Sequence, residues 1–280
     1  MTSTRVKTTA RSGRIAILAL TLLFTCLGST QLQAQRLVQT GTSYGAVPFD
    51  EDGAEFNFAR LVYGERGGFS SWGRRGRWTT DMPEAEHFFM EGLTRLTRVD
   101  GQQVNMATYD GTTFIDLNEE DLWDYPFLYG VEVGYWNLTS EEVRRLREYL
   151  MRGGFLMVDD FHGSAEWGGF ISTLQRVFPD RPIIDIPDDD EVFHVLYDLD
   201  QKIQIPGIAP LMRGQTWEQD GYEPHWRGVY DDEGRLIVAI NHNMDLGDAW
   251  EHADTPGYPQ PMTALAYRFA VNYVIYSMTH

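Results

Sequence analysis

Cysteine is nearly absent from this chain: the one thiol, Cys26, sits inside an N-terminal apolar run. Loss of that run leaves no disulfide, no thiolate metal ligand and no cysteine nucleophile. Long hydrophobic stretches are equally scarce. The run at residues 15–27 falls short of the roughly 20 residues that a membrane-spanning helix needs, and nothing later in the chain reads as a span. Positive charge is the third shortage, with 23 Lys plus Arg against 41 Asp plus Glu and a formal net charge of −18. That balance disfavours nucleic acid and anionic lipid as partners.

What is present begins with a pattern for export. Arg5, Lys7, Arg11 and Arg14 precede the apolar run, no acid occurs in the first 34 residues, and Leu32-Gln33-Ala34 follows. These features predict a secretory signal peptide over residues 1–34, cleaved after Ala34, and a periplasmic or extracellular mature chain. Retention as an anchor is the weaker alternative. Cleavage takes the formal charge to about −22. Residues 35–53 are polar, rich in Gly, Ser and Thr and aperiodic, so they read as a flexible linker. Residues 54–280 are then expected to form a single domain.

Within that domain the hydrophobic patterning alternates between strand and helix. An apolar strand is expected at 55–63, emptying into a glycine-rich loop. Asp81 is placed to cap a helix over 82–97, with Ala85, Phe89, Leu93 and Leu96 on one stripe. Further strands are expected at 104–107, 127–133, 155–158 and 182–186. Thr139 and Glu142 form a capping box for the helix before Gly153-Gly154, and another helix is expected over 165–178. Segments 226–230 and 236–241 flank Asp231-Asp232-Glu233-Gly234 as a hairpin, and a last helix runs over 261–278. The expected fold is α/β: a doubly wound, mostly parallel sheet with an added antiparallel hairpin.

Five segments, FNFARLVYG at 56–64, WTTDMPEAE at 78–86, YPFLYG at 125–130, GGFLMVDDFHG at 153–163 and NHNMDLGDAWE at 241–251, together resemble the bacterial DUF4159 family, a domain of unknown function. The resemblance implies a flavodoxin-like, class I glutamine amidotransferase-like sheet. It also implies envelope proteins as partners, in systems containing AAA ATPases and von Willebrand A domains. It brings no accepted catalytic residues. An amidotransferase of that fold would place a cysteine in a strand-to-helix turn, and no cysteine survives export here, so that chemistry is excluded by that mechanism.

Ligands of parallel α/β sheets bind beyond the carboxyl ends of the strands, which directs attention to three segments. After the first strand come Arg75, Trp78 and Asp81, in a loop that also carries Arg66, Trp72, Arg74 and Arg77 and could close over an anionic or sugar ligand. After the strand at 155–158 come Asp159, Asp160 and His162. From the late segment come Asn241, Asp245 and Trp250. No cofactor is expected outright, but a divalent metal suits this chemistry, with Asp160, His162 and His242 as its candidate ligands and Asp248, Glu251 and His252 nearby. The bland alternative has the acids accepting hydrogen bonds from loop amides. Ser164 reads as a helix N-cap rather than a nucleophile, because the G-x-S-x-G spacing is missing. The acidic stretch at 185–191 lacks the spacing of a calcium loop, and His194 reads as a packed side chain.

The reading that follows is a noncatalytic ligand-binding or protein-interaction module of the cell envelope, with a small-molecule or glycan ligand. A metal-assisted hydrolase on the same acids and histidines is the alternative, and a structural partner of an ATPase assembly is a third.

Overall fold

A computed structural model of the chain describes residues 53–65 and 76–280. The expected signal peptide and most of the expected linker lie outside the described residues, as does the tip of the glycine-rich loop with Arg66, Trp72, Arg74 and Arg75. Among the described residues no helix is long and apolar enough to cross a membrane.

The strands are β1 (Ala59–Val62), β2 (Thr113–Asp116), β3 (Phe127–Val131), β4 (Phe155–Asp159), β5 (Ile184–Asp185), β6 (His225–Tyr230) and β7 (Leu236–His242). The helices are α1 (Glu84–Leu96), α2 (Ser140–Met151), α3 (Gly163–Val177), α4 (Ile208–Met212), α5 (Leu246–Glu251) and α6 (Gln260–Thr279). One seven-stranded sheet has the order β2-β1-β3-β4-β7-β6-β5. All neighbours from β2 to β7 pair in parallel, and β6 runs antiparallel to both β7 and β5. The expected doubly wound sheet with an added hairpin is therefore the observed fold. Its first four strands follow the flavodoxin order, whose direction of winding reverses between β1 and β3, the position beside which open sheets of this kind bind their ligands.

Alternation along the central strands builds two cores. Phe127, Tyr129, Phe155 and Met157 pack with α1, α5 and α6 on one face. Leu128, Leu156, Val158 and Ile240 pack with α2 and α3 on the other. Strands β3, β4 and β7 are buried throughout, which is why their sequences read as unbroken apolar runs.

Local chemistry sets the boundaries. Thr139 Oγ1 accepts the Glu142 amide at 3.2 Å and Glu142 Oε2 accepts the Thr139 amide at 2.6 Å, the expected capping box. Beyond α2, Gly153 adopts φ 116°, which a side chain disfavours. Arg235, from the hairpin, donates to the carbonyls of Leu150 at 2.9 Å and Gly153 at 3.0 Å, satisfying the end of α2.

Three expectations are corrected. Residues 104–107 form no strand: 106–108 are a turn, in which Asn105 Oδ1 accepts the amides of Ala107 and Thr108 at 2.9 and 3.1 Å; this side-chain turn outcompetes strand pairing, and the strand comes later, as β2. Asp81 does not cap α1 with its side chain. The helix starts at Glu84 without a side-chain cap, and it is the Asp81 carbonyl that accepts the Ala85 amide at 2.8 Å. Ser164 lies inside the first turn of α3, whose cap position is His162; its Oγ donates to Asp220 Oδ2 at 2.6 Å.

Candidate functional site: an acidic crevice at the carboxyl edge

Three neighbouring strands end in the same unusual way. Glu132 after β3, Asp160 after β4 and Asn243 after β7 have φ of 54°, 51° and 65°. Left-handed backbone at a non-glycine residue costs about 1–3 kcal/mol and persists only where the surroundings hold it. Here each turn is tied to the next. The Glu132 amide donates to the Asp159 carbonyl at 3.2 Å, that of Asp160 to Met244 at 3.1 Å, and that of Asn243 to Phe161 at 3.1 Å. These sharp turns place polar side chains along the carboxyl edge of the sheet.

Asp159 is fully buried beneath it. Its Oδ2 accepts the Leu246 and Gly247 amides at 2.6 and 3.1 Å and the Tyr129 hydroxyl at 3.4 Å, whereas Oδ1 has no partner. Burial, then the charge of Asp160, pushes its pKa up to about 8.

Asp160 is the hub of the acids. Asp81, Asp160 and Asp245 each present a carboxylate oxygen within 4.8 Å of the other two. Burial, followed by the charge of Asp160, holds Asp81 and Asp245 well above the ordinary carboxylate range. Glu132 is raised to about 9, first by burial and then by Asp160, although Arg77 Nη1 lies 3.2 Å from its Oε1. Asp248 is raised in the same sense, by burial first. His162 Nε2 sits 3.2 Å from Asp160 Oδ1, and its Nδ1 has no partner. Burial works against the imidazolium there, but the Asp160 hydrogen bond and charge, with Glu218 and Glu166, outweigh it and raise the pKa. A second group, Asp248, Glu251 and His252, lies along α5, and in it His252 Nε2 is already 3.1 Å from Asp248 Oδ1.

All of these strand ends fall within residues 57–278, which match the family model described as "Domain of unknown function (DUF4159)". The chain belongs to the DUF4159 family. No curated protein matches it.

In this DUF4159 chain the sequence candidates separate into three groups. Asp81, Asp160 and Asp245 are brought together, with Asp159 beneath and His162 beside them. His242 is not: its Nε2 meets the Gly163 carbonyl at 3.2 Å, and its ring packs against Trp167 and Phe161 at 4.7 and 5.0 Å. Burial drives its pKa down to about 3, so it is a neutral packed ring. Among the described residues the groups close enough to share an ion are Asp81, Asp160 and Asp245, and Asp248, Glu251 and His252; of the expected ligands Asp160, His162 and His242, only Asp160 is in one of them. The third group is structural. Trp78 packs edge-on against Phe114 at 5.6 Å, Trp250 is fully buried against Phe89 at 4.8 Å, and Asn241 Oδ1 accepts the Tyr273 hydroxyl at 2.9 Å. Arg75 lies outside the described residues.

Sequence reasoning missed Glu132, Arg60 and Gly247. Glu132 carries the same signal as Asp160, a polar residue directly after a buried strand. Arg60, in β1, is fully buried, paired with Glu86, and donates to the carbonyls of Trp78 and Thr80 at 2.9 and 2.7 Å. It thereby anchors the segment that delivers Asp81. Gly247 matters for what it leaves out: a Cβ there would meet Asp81 Oδ2 and Tyr129 Oη at 2.7 Å each.

Proposed function

We propose that this DUF4159 protein is an exported, noncatalytic binding module of the bacterial envelope that takes a positively charged small molecule or glycan unit, of the amine-bearing class, into its acidic crevice. One observation carries the reading: Asp81, Asp160 and Asp245 crowd within 4.8 Å of one another, and buried carboxylates at such separations either hold protons or gather positive charge. Arg77, its guanidinium 3.8 Å from the Tyr135 ring centre, has N–H groups beyond the one given to Glu132 and supplies donors for hydroxyl groups. Export rests on the N-terminal pattern. The envelope partners expected from the family resemblance, an AAA ATPase or a von Willebrand A protein, belong to the same proposal.

A noncatalytic role is favoured because the serine that follows the β4 turn is not activated. No thiol survives export, and Ser164 Oγ is committed to Asp220. The test is calorimetric titration with glucosamine, against glucose as the uncharged control. Saturable heat with glucosamine that disappears in Asp160→Asn is expected; no heat with the wild-type protein sinks the proposal.

A second reading, a metal-assisted hydrolase, is favoured by the uncommitted Nδ1 of His162 beside the acids, where a base could act on water. Manganese-dependent hydrolysis of model esters or glycans that is lost in His162→Gln would move the assignment to this reading.

A further inference from the structure

We propose that a hard divalent metal ion is resident in the crevice, held by one carboxylate oxygen each from Asp81, Asp160 and Asp245. The proposal rests on the acidic crevice accepting positive charge, and it identifies the form which that charge takes before any ligand arrives.

The geometry fits coordination. Ligand oxygens on opposite sides of an ion at about 2.4 Å are about 4.8 Å apart, the limit within which the three oxygens here already lie. The three residues come from separate parts of the chain, the segment after β1, the end of β4 and the segment after β7, so no short local motif explains their convergence. An all-oxygen donor set selects calcium, magnesium or manganese over softer ions such as zinc.

An independent observation points to an unfilled position. Asp159 is fully buried, yet its Oδ1 has no partner. Its Oδ2 is held by the Leu246 and Gly247 amides, which follow Asp245 directly in the chain, and its charge bears on Asp245. Asp81 Oδ2 is likewise buried without a partner. A buried carboxylate oxygen with nothing to accept is costly unless a cation or a proton completes it. Gly247 keeps that space open, since a Cβ would press on Asp81 Oδ2 at 2.7 Å. Only three protein oxygens are supplied, which leaves positions in a six- to eight-fold shell for water or for oxygens of an incoming ligand.

The experiment is equilibrium dialysis of the purified, chelator-treated protein against manganese, with metal analysis and thermal midpoints. One manganese per chain, a raised midpoint, and at least tenfold weaker binding in Asp81→Asn, Asp160→Asn and Asp245→Asn are expected. Circular dichroism verifies that each variant folds. Gly247→Ala, which removes no ligand, should also weaken binding. Absence of bound manganese, or binding unchanged in all three Asn variants and lost in Asp248→Asn, overturns the assignment. Glucosamine binding without manganese binding would defeat this inference alone; manganese binding without glucosamine binding would defeat only the ligand proposal. Loss of both would defeat the two together.

Discussion

Asp159 Oδ2 accepts the Leu246 amide at 2.6 Å, joining the end of β4 to the first residue of α5 across 87 positions of sequence. This bond aligns two of the three acids, since Asp160 follows one partner and Asp245 precedes the other. Asp159→Ala would leave the Leu246 and Gly247 amides unpaired in the interior. A loss of about 3 kcal/mol is expected in urea denaturation, with a smaller loss for Asp159→Asn, whose oxygen can still accept.

The acids make stability depend on pH in an unusual direction. Asp159 is raised to about 8 and Glu132 to about 9, each by burial first. The folded chain keeps protons that the unfolded chain releases near pH 4. Their contribution is therefore fully present below that pH and is lost as the pH rises through 8 and 9, at about 1.4 kcal/mol per unit for each proton held. Exposed Asp180, lowered to about 2 by its Arg147 hydrogen bond, works in the opposite sense only below pH 4. The urea midpoint of metal-free protein should be lower at pH 9 than at pH 6, and manganese should remove most of the difference. A midpoint that stays level or rises with pH would contradict the cluster as described.

The same repulsion gives a paired expectation for Asp160→Asn. Neutralising the hub relieves the repulsion on Asp81, Asp245 and Glu132 but gives up the charge that faces His162, so the metal-free midpoint should move little while the rise in thermal midpoint that manganese gives the wild type is abolished. A manganese-induced rise that survives in Asp160→Asn would contradict the assignment.

Arg60→Met removes one partner of a buried ion pair and the two carbonyl contacts that hold Trp78 and Thr80. A cost of about 3–5 kcal/mol is expected, with weaker manganese binding because Asp81 loses its anchored segment. Thr139→Ala is the control: it should cost about 1 kcal/mol through the capping box and leave manganese binding unchanged.

The fold was legible in sequence wherever one local signal dominated. The buried runs of β3, β4 and β7, the Thr139–Glu142 box and the Asp231–Gly234 turn each state their structure within a few residues. Residues 104–107 misread because Asn105 competes through its side chain, a contact that periodicity does not register. At the site, Asp160 and Asp245 were visible as acids near strand ends, but their grouping with Asp81 depends on Arg60 and on the space at Gly247, which are tertiary facts. Trp78, Trp250 and His242 are packed among other rings, and their sequence did not signal it because aromatic and imidazole side chains look alike in sequence whether they line a ligand or pack in a core.

The most direct measurement is an anomalous difference map from a crystal of the protein soaked in manganese. A peak is expected roughly 2.0–2.6 Å from one carboxylate oxygen of each of Asp81, Asp160 and Asp245. A map with no peak there at saturating manganese, or with a peak only beside Asp248, Glu251 and His252, would contradict it.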